Sequence, residues 1–100
     1  MVKHIIIWTL KEGYSEEEKS AIKNNVKVKL EALSEQIDGI IEIKVQTECL
    51  PTSNADLLLD STFTSRESLA TYAKDPRHVK IATEDVVPFV ATRSCIDFEI

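Results

Sequence analysis

The opening stretch Val2-Lys3-His4-Ile5-Ile6-Ile7-Trp8-Thr9-Leu10 constrains the fold more than any other part of the chain. In an extended strand successive side chains point to opposite faces. Residues 3–10 therefore divide into His4, Ile6, Trp8 and Leu10 on one side and Lys3, Ile5, Ile7 and Thr9 on the other. Each set contains large apolar groups, so both faces of this strand must be covered.

The chain that follows supplies the cover. Gly13-Tyr14 reads as a turn and Ser15-x-x-Glu18 as a capping box opening a helix. Ile22, Val26, Leu30, Leu33 and Ile37, spaced four, four, three and four apart, form one apolar stripe that runs until Asp38-Gly39. Residues 40–48 alternate Ile41, Ile43 and Val45 with Glu42, Lys44 and Gln46, which predicts a second strand. A loop at Leu50–Asn54 precedes a third strand, roughly 56–63, with Leu57, Leu59 and Phe63 opposed to Leu58, Asp60 and Thr62. Thr64-x-x-Glu67 reads as a second capping box, and Leu69, Tyr72 and Ala73 mark the inner side of its helix. That helix breaks at Asp75-Pro76, since proline cannot continue a helix but suits the first position of a new one, with Asp75 as N-cap. Val79, Ala82 and Val86 extend the stripe to Pro88, and residues 92–99 alternate Ser94, Ile96 and Phe98 with Arg93, Cys95 and Asp97 as a last strand.

The order β-α-β-β-α-β over residues 1–100 predicts a single α+β domain, a ferredoxin-like four-stranded antiparallel sheet with its helices on one face. The other face stays open, and in so small a protein an open apolar face calls for a partner. The expected partner is a second copy, packed sheet against sheet through the face that carries Trp8. On this reading Trp8 is a dimer-core residue; the alternative is a stacking platform for an aromatic ligand.

Charge and residue usage exclude several function classes. The net charge of -5, with no basic patch, argues against nucleic acid and anionic membrane as partners. The longest apolar run, Ile5–Trp8, is too short for a signal-peptide core or a membrane span, which predicts a cytoplasmic protein. Cys49 and Cys95 lack CxxC spacing and are expected to be buried or half-buried free thiols. Only Gly13 and Gly39 are present, so there is no glycine-rich phosphate loop, and no Gly-x-Ser-x-Gly elbow occurs. Two histidines without His-x-x-x-His spacing predict no metal site, and nothing in the sequence implies a cofactor.

The residues best suited to chemistry flank the helix break. His78 falls in the first turn of the new helix, where the dipole disfavours imidazolium and leaves a neutral ring able to accept a proton. Tyr72, one turn before the break, is its candidate hydrogen-bonding or substrate-positioning partner. The alternative is a structural histidine bonded to backbone or to a carboxylate. His4, Ile6 and Trp8 share a strand face and, with Leu57 and Leu59 of the third strand, are candidate walls of a ligand pocket. His4 has its own alternative, a strand histidine satisfied by a neighbouring strand.

Val2-Lys3-His4-Ile5-Ile6-Ile7-Trp8, then Phe63-x8-Tyr72 with Asp75-Pro76-x-His78-Val79, and finally Arg93-Ser94-Cys95-Ile96-Asp97-Phe98 together resemble the stress-responsive dimeric α/β-barrel (Dabb) family over essentially the whole chain. The resemblance implies a dimeric barrel-like assembly with a cavity between sheet and helices in each subunit. Most members of that family lack an assigned reaction. A plant branch cyclises polyketides by intramolecular aldol condensation, with the residue matching His78 as general base and the residue matching Tyr72 orienting the substrate. This chain carries Asp75 where the family commonly has His, and Leu57 where the cyclases have a further pocket histidine. Three functions are therefore weighed: a homodimeric protein that holds a small apolar or phenolic molecule, a cofactor-independent cyclase or isomerase using His78 as base, and a structural stress-associated oligomer.

Overall fold

Strand β1 (Val2–Leu10) occupies an interior position in the sheet, as its two apolar faces require. The computed structural model describes residues 1–100. After β1 come helix α1 (Glu16–Ala32), strands β2 (Ile40–Gln46) and β3 (Leu57–Phe63), helices α2 (Arg66–Lys74) and α3 (Pro76–Ile81), and strand β4 (Val90–Glu99). The sheet order is β2-β3-β1-β4, every neighbouring pair antiparallel, which is the ferredoxin-like arrangement. No helix is long and apolar enough to cross a membrane.

Local chemistry sets the helix ends. Ser15 and Glu18 form the reciprocal capping box read from the sequence. The second box sits one residue later than expected, on Ser65 and Ser68 rather than Thr64 and Glu67. A serine hydroxyl both donates and accepts, so Ser68 serves at the third helical position where glutamate is usual. Asp75 closes α2 and caps α3, accepting from the Arg77 N–H, with Pro76 in the first turn. The stripe of α1 packs on the sheet: Val26, Leu30, Leu33 and Ile37 are buried and Ile22 is half-buried. Glu31 fastens this helix to β2, accepting from Lys27 Nζ at 2.7 Å and from the Val45 N–H at 2.9 Å.

Three further expectations need correction. Trp8 does not lie on the open face: it is 4% exposed, on the side that the helices cover, with Ile6, Leu10, Leu57, Leu59 and Phe63. Alternation separates two faces but does not say which one the helices take. Here the discriminating signal is polar. The opposite face carries Lys3 and Asp60, ion-paired at 2.8 Å, with Lys44 facing Asp60 across the sheet. Such groups can reach water only on a side without helices. The open face nevertheless holds an apolar patch of Ile5, Ile7, Leu58, Ile96 and Phe98, joined by the register pairs Ile5–Ile96 and Ile7–Leu58.

Ile41 is the second correction. The β2–β3 register shifts between Ile40 and Glu42, and the extra residue turns Ile41 outward while Ile43 and Val45 stay buried. Third, Cys49 and Cys95 are both exposed free thiols rather than buried ones.

Candidate functional site

A cavity of about 320 Å³ opens between the inner face of the sheet and the helices. Its floor is apolar and buried, built from Ile6 and Trp8 of β1, Leu59 of β3, Leu30 of α1 and Val86. Its rim is exposed and comes from Val87, Ala91, Thr92 and Arg93, where the chain leaves the helices and enters β4. The helical segment widens into a π-turn over Ala82–Val86, and both end residues of that turn line the cavity.

Tyr72 and His78 complete the wall, one from each side of the helix break. Tyr72 is 1% exposed and packed between two rings, with Phe63 at 5.0 Å and His78 at 4.2 Å between centroids. Burial pushes its phenol pKa well above the ordinary value, so the hydroxyl stays protonated. That hydroxyl has no hydrogen-bond partner within the protein. A buried donor left unpaired costs on the order of 1–3 kcal/mol, and no group of the protein offsets that cost here.

His78 is half-buried, and its Nδ1 lies 3.2 Å from the Ala73 carbonyl oxygen. A carbonyl only accepts, so this contact fixes the proton on Nδ1 and leaves Nε2 as the bare, proton-accepting nitrogen of the neutral ring. Burial lowers the imidazole pKa; the bond to Ala73 and the Asp75 charge oppose that shift, while His4 and Arg93 reinforce it. The downward direction expected from the helix dipole is found, but its largest cause is desolvation. Geometry at the break is held by Arg77, whose Nε and Nη2 bond both oxygens of Asp75 at 3.0 and 2.8 Å and whose Nη1 reaches the Gln36 carbonyl at 2.7 Å. That arrangement holds the Asp75 carboxyl at about 2 and ties the break to the segment following α1.

Of the residues singled out from the sequence, Ile6, Trp8, Leu59, Tyr72 and His78 meet around this cavity. Leu57 and His4 do not line it. Leu57 is sealed in the core. His4 hydrogen-bonds through Nδ1 to Asp97 of β4 and meets Phe63 edge-on at 6.2 Å. Cys95 joins that pair, with Sγ 3.8 Å from His4 Nδ1 and 3.7 Å from the Asp97 carboxylate. These are donor types that could ligate a cation, brought together by cross-strand register rather than by sequence spacing. As arranged, His4 and Asp97 are bonded to each other, and burial with the Asp97 charge pushes the Cys95 thiol pKa up, so the group is a polar tether between β1 and β4. Sequence reasoning passed over Arg93, Leu30 and Val86 as cavity residues. Alternation sets Arg93 opposite to Ser94, but that it faces inward follows from its pairing with Trp8, which the sheet register supplies.

Residues 2–100 match the model of the family described as the stress responsive A/B barrel domain. No curated protein matches the sequence. Among solved structures, the chain is similar to a dimeric protein of unknown function and ferredoxin-like fold from Bacteroides fragilis, with 31% identity, 99% of this chain and 95% of that one covered, and a TM-score of 0.91. An Arabidopsis thaliana protein shares the fold at 22% identity and a TM-score of 0.80, with 100% of this chain and 95% of that one covered. So does the hydroxynitrile lyase of Passiflora edulis, at 18% identity and a TM-score of 0.80, covering 99% and 92% of the two chains.

Proposed function

The chain belongs to the stress-responsive A/B barrel domain family, and from that premise we propose that it is a homodimeric protein whose cavity holds a small apolar or phenolic molecule. The unpaired, buried Tyr72 hydroxyl carries this reading. An apolar cavity with one unmet donor and one neutral imidazole on its wall suits a flat, mostly apolar ligand bearing a hydroxyl or carbonyl. The volume falls near the lower end of ligand pockets, which run from roughly 300 to 1,000 Å³.

Self-association rests on separate support. The apolar patch of Ile5, Ile7, Leu58, Ile96 and Phe98 lies on the sheet face that no helix covers. The similar Bacteroides fragilis protein is described as dimeric. Two such faces packed together remove both patches from water.

A second reading has its own observation. The Nδ1 contact with Ala73 leaves Nε2 of a neutral, half-buried His78 free to take a proton, which suits a cofactor-independent lyase, cyclase or isomerase that abstracts a proton next to a carbonyl or from a hydroxyl. In that reaction the Tyr72 hydroxyl would donate to the substrate oxygen as negative charge develops there.

The deciding experiment is an NMR titration of the histidine ring protons with a panel of small phenols and keto acids. Only His4 and His78 contribute signals. The proposal expects ligand-dependent shifts at His78, with turnover of a panel member marking the second reading. A His78 signal indifferent to every panel member would sink both readings and leave a structural oligomer.

A further inference from the structure

Arg93 stands apart from the other arginines of the chain. Arg66 is ion-paired with Glu99 and Arg77 with Asp75, whereas Arg93 pairs with no carboxylate. It projects from β4 on the same sheet face as its register partner Trp8 and lines the exposed rim of the cavity. Its charge is felt instead by neutral groups, the His78 imidazole and the Cys95 thiol. In a protein of net charge -5, a guanidinium without an ion-pair partner thus places a positive charge at the cavity mouth.

The lining of the cavity thus combines a buried, unpaired Tyr72 hydroxyl and the His78 imidazole in the wall with the Arg93 guanidinium at the exposed rim, the rest being mainly apolar. We propose that the ligand of this cavity is an anion, a hydroxylated or oxo aromatic carboxylate, whose carboxylate Arg93 binds at the rim while its ring lies on Trp8 and its hydroxyl or carbonyl oxygen meets Tyr72. The inference rests on the ligand-binding reading above and narrows it from phenols in general to phenolic acids. The guanidinium fork matches a carboxylate in geometry, which a neutral amide of the same shape cannot reproduce.

Matched ligands separate this from simple apolar binding. Calorimetric titration of the whole protein uses 4-hydroxycinnamate, its neutral amide, and 4-propylphenol, against wild type, Arg93→Gln and Arg93→Lys. Wild type is expected to bind the acid roughly tenfold more tightly than the amide, the usual worth of a hydrogen-bonded charge in a partly exposed site. Arg93→Gln should erase that preference by weakening the acid far more than the amide, Arg93→Lys should keep part of it, and added salt should reduce it. Equal affinity of wild type for acid and amide, or a preference that survives in Arg93→Gln, overturns the inference. If 4-propylphenol binds while the acid gains nothing over the amide, the cavity reading stands and the anion assignment falls. If none of the three binds, both fall together.

Discussion

The imidazole of His78 lies against the phenol of Tyr72, ring centroids 4.2 Å apart and planes inclined by 35°, although the two residues belong to different helices. The Asp75-Pro76 break makes this possible, because a continuous helix would place residues six apart on different faces. The Tyr72 ring is a core element, and its hydroxyl is an unmet donor beside the cavity. Ring and hydroxyl therefore separate under mutation. Tyr72→Phe should leave stability within about 1 kcal/mol of wild type, or raise it, because the deleted group has no partner to lose. Tyr72→Ala should cost about 3–5 kcal/mol through the void it leaves. Tyr72→Phe should still weaken phenol binding about fivefold. Chemical denaturation and ligand titration check the pair; equal losses of stability in the two variants would show that the hydroxyl has a structural partner after all.

The lowered pKa of His78 predicts a pH dependence of defined sign. Burial disfavours the imidazolium in the folded state, so between the folded value and the ordinary value of 6.5 the unfolded chain binds more protons. Stability from this group is complete above about 6.5 and is lost as pH falls through the lowered folded value. Asp75 opposes the shift, and His4 and Arg93 reinforce it. Melting temperature followed from about pH 8 down to pH 5 should fall more steeply in wild type than in His78→Gln, which has nothing to protonate there. Parallel curves would refute the depressed pKa.

Trp8 and Ile96 lie on opposite faces of the sheet and should fail in different ways. Trp8 is buried beneath the helices, so Trp8→Ala should lose about 3–5 kcal/mol of folding stability and open the cavity floor. Ile96 is 60% exposed on the open face, and Ile96→Lys in the isolated subunit should change stability by no more than about 0.5 kcal/mol. It places a charge within the apolar patch, so analytical ultracentrifugation should show it shifted from dimer toward monomer. A folded Trp8→Ala of near-normal stability, or an Ile96→Lys dimer as tight as wild type, would reverse the assignment of faces.

The element order was legible because each segment carries its own period and ends in a residue with a definite local role: Ser15, Gly39, Pro76. What alternation could not supply was the sign of each face. It separates His4-Ile6-Trp8 from Lys3-Ile5-Ile7, but only the cross-strand neighbours Asp60 and Lys44 reveal which set has to reach water. Ile41 was misplaced for a related reason, since a one-residue bulge leaves no mark in composition. Tyr72 and His78 were visible as a pair because one proline joins them locally. The Arg93 position depends on register between β4 and β1, a long-range match that alternation suggests only once β1 is oriented. Likewise, the cluster of His4, Cys95 and Asp97 has no sequence spacing that announces it.

Gly39 and Gly13 offer a final test of how the site is seated. Both have positive φ, 90° and 100°, so alanine at either meets backbone strain of about 1 kcal/mol. Around Gly13 there is open space, while a Cβ on Gly39 would stand 2.5 Å from Cβ of Ser68, a distance real side chains do not adopt. Ser68 belongs to the capping box that starts α2, and the Gly39 carbonyl accepts from the Thr64 N–H just before it. Gly39→Ala must therefore displace the start of the helix that carries Tyr72. Its expected cost is about 2–4 kcal/mol, against about 1 kcal/mol for Gly13→Ala. The displacement should also move the His78 ring resonances, because that ring rests on Tyr72; Gly13→Ala should leave them in place. Urea denaturation and a histidine NMR spectrum read the two effects separately. Equal costs would mean that the β2–α2 junction yields easily, and unmoved His78 signals in Gly39→Ala would mean that α2 does not transmit its position to the cavity.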